Sequence, residues 1–207
     1  MLLGTALAVV AVSWPGPSPA LTAAPPGGDG PRRAVARCIR QEGVPTFKGY
    51  MAYKATVGID DGEMLEAMAA IAEHGGRLLM HCEHGEATEF LRARFAAAGE
   101  TAPRFHALSR PAELEGEATW RAATLAATTG VELYVVHVTC ADSAAAVREA
   151  RARGWPVRGE TCPQYLLLDD SVYERPGFEG GAFVCAPPIR PRGHQEALWR
   201  ALEDGTL

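Results

Sequence analysis

From about residue 34 onward, short apolar runs alternate regularly with longer runs of helical periodicity. The clearest apolar runs are RLLMH at 77–81 and VELYVVHV at 131–138. Strands that are apolar on both faces are typical of parallel sheets covered by helices. The alternation therefore predicts an α/β protein, and both a doubly wound sheet and a (β/α) barrel are compatible with it.

The remaining elements follow from the same periodicities. Further strands are predicted at 47–53, 156–161 and 182–186. Helices are predicted from Asp60 to Gly75, over about 85–98, over 143–154 and over about 193–203. A further helix is predicted to begin with Ser109 as its N-cap and Pro111 in its first turn, and to end at Gly130. No G-x-G-x-x-G or P-loop pattern follows any of these strands, which removes the main argument for a nucleotide-binding sheet.

Composition and charge narrow the function classes. The chain has 207 residues, of which 47% are hydrophobic and 22% charged, and this is enough for one domain with a real core. The net charge of −5 argues against nucleic acid or an anionic membrane surface as the main partner. The five cysteines are odd in number and scattered in spacing, which favours a reducing compartment over a disulfide framework. A cytoplasmic location is therefore predicted.

The first 33 residues differ from the rest in composition. An apolar run, MLLGTALAVVAVSW, precedes a segment rich in Ala, Pro and Gly. This order resembles a secretory signal, but the first basic residue is Arg32, and the run is too short to span a bilayer comfortably. We interpret residues 1–33 as a leader, either disordered or signal-like, and residues 34–207 as the folded part.

Three chemically distinctive residues end three successive predicted strands: Lys54, His81 and His137. In a parallel barrel the carboxyl ends of the strands face one common mouth, where side chains from separate strands converge. Imidazole is a common ligand for zinc and similar ions. A lysine ammonium has donors but no lone pair, so Lys54 can bind a metal only when it is neutral or modified. Carbamylation by carbon dioxide would convert it to a carboxylate able to bridge two cations.

Six blocks that carry a family resemblance occur in order along residues 34–207: FKGYMAYK, LLMHCEHGE, HALSRPAELEGEAT, YVVHVTCADS, GETCPQYLLLDD and FVCAPPIRP. Together they resemble the hydantoinase and dihydropyrimidinase branch of the cyclic amidohydrolases. The resemblance implies a (β/α)8 barrel of TIM type with a small β-sandwich. It also implies hydrolysis of the ring amide of hydantoins or 5,6-dihydropyrimidines at a two-metal centre, and a homo-oligomer, commonly a tetramer.

The resemblance also implies roles for individual residues. Lys54 matches the carbamylated lysine that bridges both metals, so it is both a metal ligand and a catalytic residue. His81 and His137 match the two histidines of the more exposed metal, and the backbone at Ala186 matches a segment that binds the substrate ring. Zinc is the implied metal, with two ions in a complete site and other divalent ions as alternatives.

Several other residues carry weaker expectations. Cys82 is expected to pack away from His81, and His84 to be a supporting or surface residue. The expected role of the block with His106, Glu115 and Glu117 is structural, and Lys48 is expected to fill the bottom of the barrel. The loop 56–59 lacks the tyrosine that the family often uses there.

The sequence also lacks two ligand blocks of the family pattern. No histidine precedes His74, so the H-x-H pair of the first barrel strand is absent, as is the aspartate of the last strand. The chain is therefore expected to represent roughly strands four to seven, without the β-sandwich, and to be inactive and poorly stable alone. Two alternatives stay open: a non-catalytic, oligomerising dihydropyrimidinase-like protein, and a hydrolase of allantoinase or dihydroorotase type.

Overall fold

The computed structural model describes residues 31–207. The predicted leader, 1–33, lies outside the described residues except for its last three positions. Those three positions form the start of helix α1 (Pro31–Glu42), which precedes the first strand and was not predicted.

A four-stranded parallel sheet forms the centre of the molecule. Its strands are β1 (Thr46–Tyr50), β2 (Arg77–His81), β3 (Glu132–Val135) and β4 (Val157–Gly159). The spatial order is the chain order, β1-β2-β3-β4, and each strand pairs in parallel with the next. The α/β class is therefore confirmed, and the sheet is consistent with part of a TIM-type barrel.

The strand predicted at 182–186 is wrong. A 3₁₀ helix occupies Glu179–Phe183, and the chain then continues to Pro187 and Pro188 without joining the sheet. Two consecutive prolines provide no backbone donors for a ladder. The Cys185 carbonyl, moreover, accepts a hydrogen bond from a side chain, Nε2 of His106, at 2.7 Å.

Helices follow every strand, and their bounds are α2 (Asp61–Glu73), α3 (Gly85–Ala97), α4 (Arg104–Leu108), α5 (Ala112–Thr129), α6 (Ala141–Ala152), α7 (Pro163–Leu167) and α8 (Gln195–Glu203). Short 3₁₀ turns lie at Asp170–Glu174 and Arg192–His194. Between Pro31 and Leu207, no helix has both the length and the apolar character needed to cross a lipid bilayer.

The helix starts were predicted with mixed success. Helix α2 has its N-cap at Asp60, the first residue of the predicted helix, and begins with a capping box. Asp60 Oδ1 accepts from the Glu63 amide at 2.8 Å, and the Glu63 carboxylate accepts from the Asp60 amide at 2.9 Å. Ser109 does not cap helix α5, because its hydroxyl donates to the His106 carbonyl at 2.8 Å. Pro111 occupies the N-cap position instead.

The two faces of the sheet have different environments. One face is fully buried and belongs to the main hydrophobic core, to which the strands contribute Phe47, Leu78, Met80, Leu133, Val135 and Val157 and the helices contribute Met64, Met68, Ala122 and Val147. Residues of the opposite face, including Lys48, Leu79 and Tyr134, are only partly buried. A barrel interior would lie on this second face, and the candidate site lies at its carboxyl end.

Candidate metal site at the carboxyl ends of the strands

Two histidines meet where β2 and β3 end. His81 is the last residue of β2, and His137 lies two residues beyond β3. Nδ1 of His81 is 3.1 Å from Nε2 of His137, and the rings meet edge to face. Both rings are at least half-buried, and His137 has a positive φ of 45°, an uncommon backbone conformation for this residue type. The predicted convergence of these two side chains is observed.

The spacing of the two nitrogens suits a shared cation. Two nitrogens bound to one zinc ion at about 2.0–2.1 Å in near-tetrahedral geometry lie about 3.1–3.4 Å apart, and the observed separation is 3.1 Å. Burial is the largest cause, and the nearby His81 and Lys48 are smaller causes, of a pKa of His137 that is lowered to about 3. The ring is therefore neutral near pH 7 and retains a lone pair. Among residues 31–207, no group of three His, Cys, Asp or Glu side chains forms a complete site.

A buried carboxylate contacts the other nitrogen of His81. Glu83 Oε2 lies 2.6 Å from His81 Nε2, and Oε1 lies 3.4 Å from Arg110 Nε. Burial alone would raise the pKa of Glu83. The hydrogen bond and charge of His81, together with the charges of Arg110 and Arg190, lower this pKa by more, so the net shift is downward. Sequence analysis missed this residue, although strand alternation places positions 81 and 83 on the same face.

Lys54 lies on the loop after β1, and its contacts differ from those expected of a metal ligand. Its ammonium donates to the Ile59 carbonyl at 2.7 Å and lies 3.4 Å from Glu86 Oε1. Strand β1 ends at Tyr50, and Tyr53, with φ of 60°, places its ring centroid 5.3 Å from that of His81. No contact described for Lys54 reaches either histidine, so its role as a bridging ligand stays a prediction.

The segment around Ala186 is held in place by two side chains. Cys185 contributes the carbonyl that accepts from His106, and the Tyr165 hydroxyl donates to the Pro187 carbonyl at 2.8 Å. The structural role predicted for His106 is thus supported. The Ala186 backbone is partly buried, and its binding to a substrate ring stays a prediction.

A second buried ion pair anchors the loop after His137. The Arg190 guanidinium donates to Glu115 Oε2 at 2.7 Å and to Thr139 Oγ1 at 2.9 Å. Glu115 also accepts from the Thr139 amide at 2.9 Å. These contacts support the structural role predicted for Glu115. Glu117, on the same helix, instead pairs with Arg121 near the surface at 3.1 Å.

The remaining predicted residues have clear environments. Cys82 is buried in the core, and burial raises its pKa to about 12, so its expected packing role is confirmed. The His84 imidazole caps helix α3 by accepting from the Ala87 amide at 3.4 Å. Lys48 lies on the partly buried face of β1, 5.4 Å from the Tyr50 ring centroid.

Curated relatives match most of this chain. A scan of protein-family models gave no match. The D-hydantoinase of Geobacillus stearothermophilus is 47% identical over 171 residues, and that of Streptomyces coelicolor is 49% identical over 167 residues. These alignments cover 83% and 81% of this chain and 36% of each relative. The part of the chain that these alignments cover is homologous to the hydantoinase and dihydropyrimidinase family. The chain spans little more than a third of the length of these hydantoinases.

Solved hydantoinase structures have the same fold over the matched part. A crystal structure of D-hydantoinase superposes with a TM-score of 0.83 at 45% identity, covering 85% of this chain and 38% of that chain. The dihydropyrimidinase of Brevibacillus agri gives 0.84 at 42% identity with the same coverage. An L-hydantoinase (dihydropyrimidinase) from Arthrobacter aurescens gives 0.75 at 30% identity, covering 83% of this chain and 38% of that chain. The barrel alternative is thus favoured over a doubly wound sheet.

Proposed function

We propose that this chain contributes two imidazole ligands to a divalent-metal site of a cyclic-amide hydrolase acting on hydantoins or 5,6-dihydropyrimidines. The observation that carries the proposal is the 3.1 Å approach of His81 Nδ1 to His137 Nε2 at the carboxyl ends of two adjacent parallel strands. The fold around this pair matches solved hydantoinases, and barrel enzymes place their chemistry at this end of the strands.

His81 and His137 are suited to hold the cation. Neutral imidazole is the metal-binding form, and the low pKa of His137 keeps that ring neutral near pH 7. The rings of Tyr50 and Tyr53 lie beside His81, with centroids 5.5 and 5.3 Å from its own. These aromatic rings limit the access of bulk water to the imidazole.

Lys54 is proposed as the third ligand after carbamylation. Its ammonium would lose one proton, and the neutral Nζ would then form a bond to the carbon of carbon dioxide as one carbon–oxygen π bond breaks. Loss of a second proton from Nζ would leave an anionic carbamate. The modified side chain would then exchange its contacts with Ile59 and Glu86 for the metal site. Zinc is the proposed ion, with a second ion in a complete site of the family.

The substrate would lie between the histidine pair and the segment at Ala186. A divalent cation held there would polarise the ring carbonyl and lower the pKa of a water molecule. The Ala186 backbone is proposed to hydrogen-bond the ring amide. His106 and Tyr165 fix the neighbouring carbonyls at 2.7 and 2.8 Å, so they orient this backbone for binding.

The sequence also bears on activity, assembly and location. The 207 residues contain no H-x-H pattern, so we expect this polypeptide alone to show no more than trace hydrolysis of hydantoin. A general base contributes about 10²–10⁴-fold to such a reaction, and the family aspartate is not in the sequence. Self-association, as in the family's tetramers, is proposed on the resemblance, and a cytoplasmic location is proposed on the scattered, odd-numbered cysteines.

The metal assignment is testable by metal content and affinity. The purified chain is expected to bind about one zinc ion per chain. The His81→Ala and His137→Ala variants should each lose most of the zinc affinity, because each lacks one of the two imidazole ligands. His74→Ala is the matched control, because His74 lies at the end of helix α2 and contacts Arg40. Zinc binding that survives both site substitutions, or is absent from the parent chain, would overturn the assignment. Complete absence would favour the non-catalytic alternative.

A further inference from the structure

The two histidines of the candidate site differ in what contacts their outer nitrogens. His81 Nε2 contacts the Glu83 carboxylate at 2.6 Å, and Glu83 is only 2% exposed. His137 Nδ1 is also buried, but it has no hydrogen-bond partner within residues 31–207. Within residues 31–207, the outer nitrogen of only one of these two rings therefore has a hydrogen-bond partner.

The contact with Glu83 determines which nitrogen of His81 carries the proton. An ionised carboxylate has only acceptors, so His81 Nε2 must donate. A neutral imidazole with its proton on Nε2 has its lone pair on Nδ1. That nitrogen is the one that faces His137, at 3.1 Å.

The carboxylate itself forms an ion pair with an arginine. Arg110 is buried, and its Nε lies 3.4 Å from Glu83 Oε1. Its Nη1 donates to the Ser109 hydroxyl at 3.1 Å and to the His106 carbonyl at 3.3 Å. The guanidinium thus balances the charge of Glu83 and connects it to the carboxyl end of helix α4.

We propose that Glu83 is a positioning residue that fixes the Nε2–H tautomer and the ring orientation of His81, with Arg110 holding the carboxylate. The expected effect on metal binding rests on the proposed function, because the fixed Nδ1 lone pair is the one that would be presented to the metal. Carboxylates that accept from the outer nitrogen of a metal-binding histidine orient the ring and raise its basicity, and losing one costs about 10–100-fold in metal affinity or activity.

The test uses the full chain in two measurements. The first is the tautomer of His81 in the metal-free protein, read from long-range proton–nitrogen correlations of the imidazole by NMR. The second is zinc affinity, measured by competition with a chelator. The variant is Glu83→Gln, which preserves side-chain volume but can donate as well as accept. Glu115→Gln is the control for the tautomer, because Glu115 is equally buried and paired with an arginine but does not contact His81.

We expect the parent and Glu115→Gln to show His81 as the Nε2–H tautomer alone. Glu83→Gln should show a mixture of tautomers and bind zinc about 10–100-fold more weakly than the parent. An Nδ1–H tautomer in the parent would overturn the proposal without any variant, so the test survives a Glu83→Gln chain that does not fold. The proposal is also overturned if Glu83→Gln keeps the parent's tautomer and affinity.

The two proposals fail in different ways. A parent chain that binds no zinc contradicts the proposed function, whereas the tautomer of its His81 still decides whether Glu83 positions the ring.

Discussion

The two buried carboxylates, Glu83 and Glu115, each face a buried guanidinium but have different neighbours. Glu83 faces Arg110 and touches the candidate metal site, whereas Glu115 faces Arg190 and fixes the backbone at Thr139. Both are only 2% exposed. Removing one partner of such a pair leaves an uncompensated buried charge, which costs far more than losing a surface contact.

Glu115→Ala is therefore expected to destabilise the chain strongly. The free energy of unfolding should fall by about 3–5 kcal/mol because Arg190 is left buried and unpaired. Glu117→Ala is the control, since Glu117 lies on the same helix but pairs with Arg121 near the surface, and it should change stability by no more than about 0.5 kcal/mol. Urea unfolding followed by circular dichroism measures both, and equal effects would contradict a structural role for Glu115.

Lys48 gives a pH-dependent prediction. Burial lowers its pKa from 10.5 to about 8, although Cys82 and Glu160 oppose the shift. Between about pH 8 and pH 10.5 the unfolded chain therefore binds more protons at this site than the folded chain, and this residue's contribution to stability rises with pH there. Below pH 8 the buried ammonium is a net cost.

Lys48→Met removes that cost. The variant should be more stable than the parent at pH 7, and the difference should shrink as pH rises towards 10.5. The comparison with the parent at each pH cancels the titration of other groups. Urea midpoints at pH 7, 9 and 10 measure it, and a difference that is constant across this range would contradict the assigned environment.

The elements predicted best were those with the strongest periodicity and the clearest ends. Strand β2 was predicted with its observed bounds, and helix α2 has its N-cap at Asp60, where the predicted helix begins. Apolar runs between turn residues and side-chain caps are local signals, so the sequence is sufficient to specify them.

The misses arise where long-range contacts decide the outcome. The run at 182–186 is apolar enough for a strand, but the prolines after it and the contact from His106 hold it outside the sheet. Helices α4 and α7 have five residues each, too few for a periodic pattern to be recognised. At the site, strand ends predicted the meeting of His81 and His137, whereas the role of Glu83 depends on a contact that only the folded chain shows.

Helices α5 and α6 pack closely at Gly116. A Cβ at this position would lie 2.6 Å from Cβ of Asp142, which is closer than two carbon atoms can approach without a shift. Gly116→Ala should therefore destabilise the chain by about 1–3 kcal/mol through overpacking. Gly193→Ala is the control, because a Cβ there meets no atom within 4 Å. Thermal unfolding distinguishes them, and equal stability would contradict the close helix contact.

The molecule as a whole presents one arc of parallel sheet. Within the described residues β1 and β4 each pair with only one neighbouring strand, as expected for strands four to seven of a barrel. Unpaired strand edges favour association with other chains. The partly buried face of the sheet and these two edges are therefore where the molecule is expected to interact with further polypeptide.

The histidine pair lies at the carboxyl edge of this arc, where its central strands β2 and β3 end, and X-ray absorption spectroscopy of the zinc-loaded chain tests whether it holds the metal. We predict a zinc shell of nitrogen and oxygen atoms at about 2.0–2.2 Å, with imidazole scattering from two histidines that is lost in a His81→Ala, His137→Ala double variant. Sulfur ligands at about 2.3 Å, or a spectrum unchanged in the double variant, would show that the two histidines do not hold the metal.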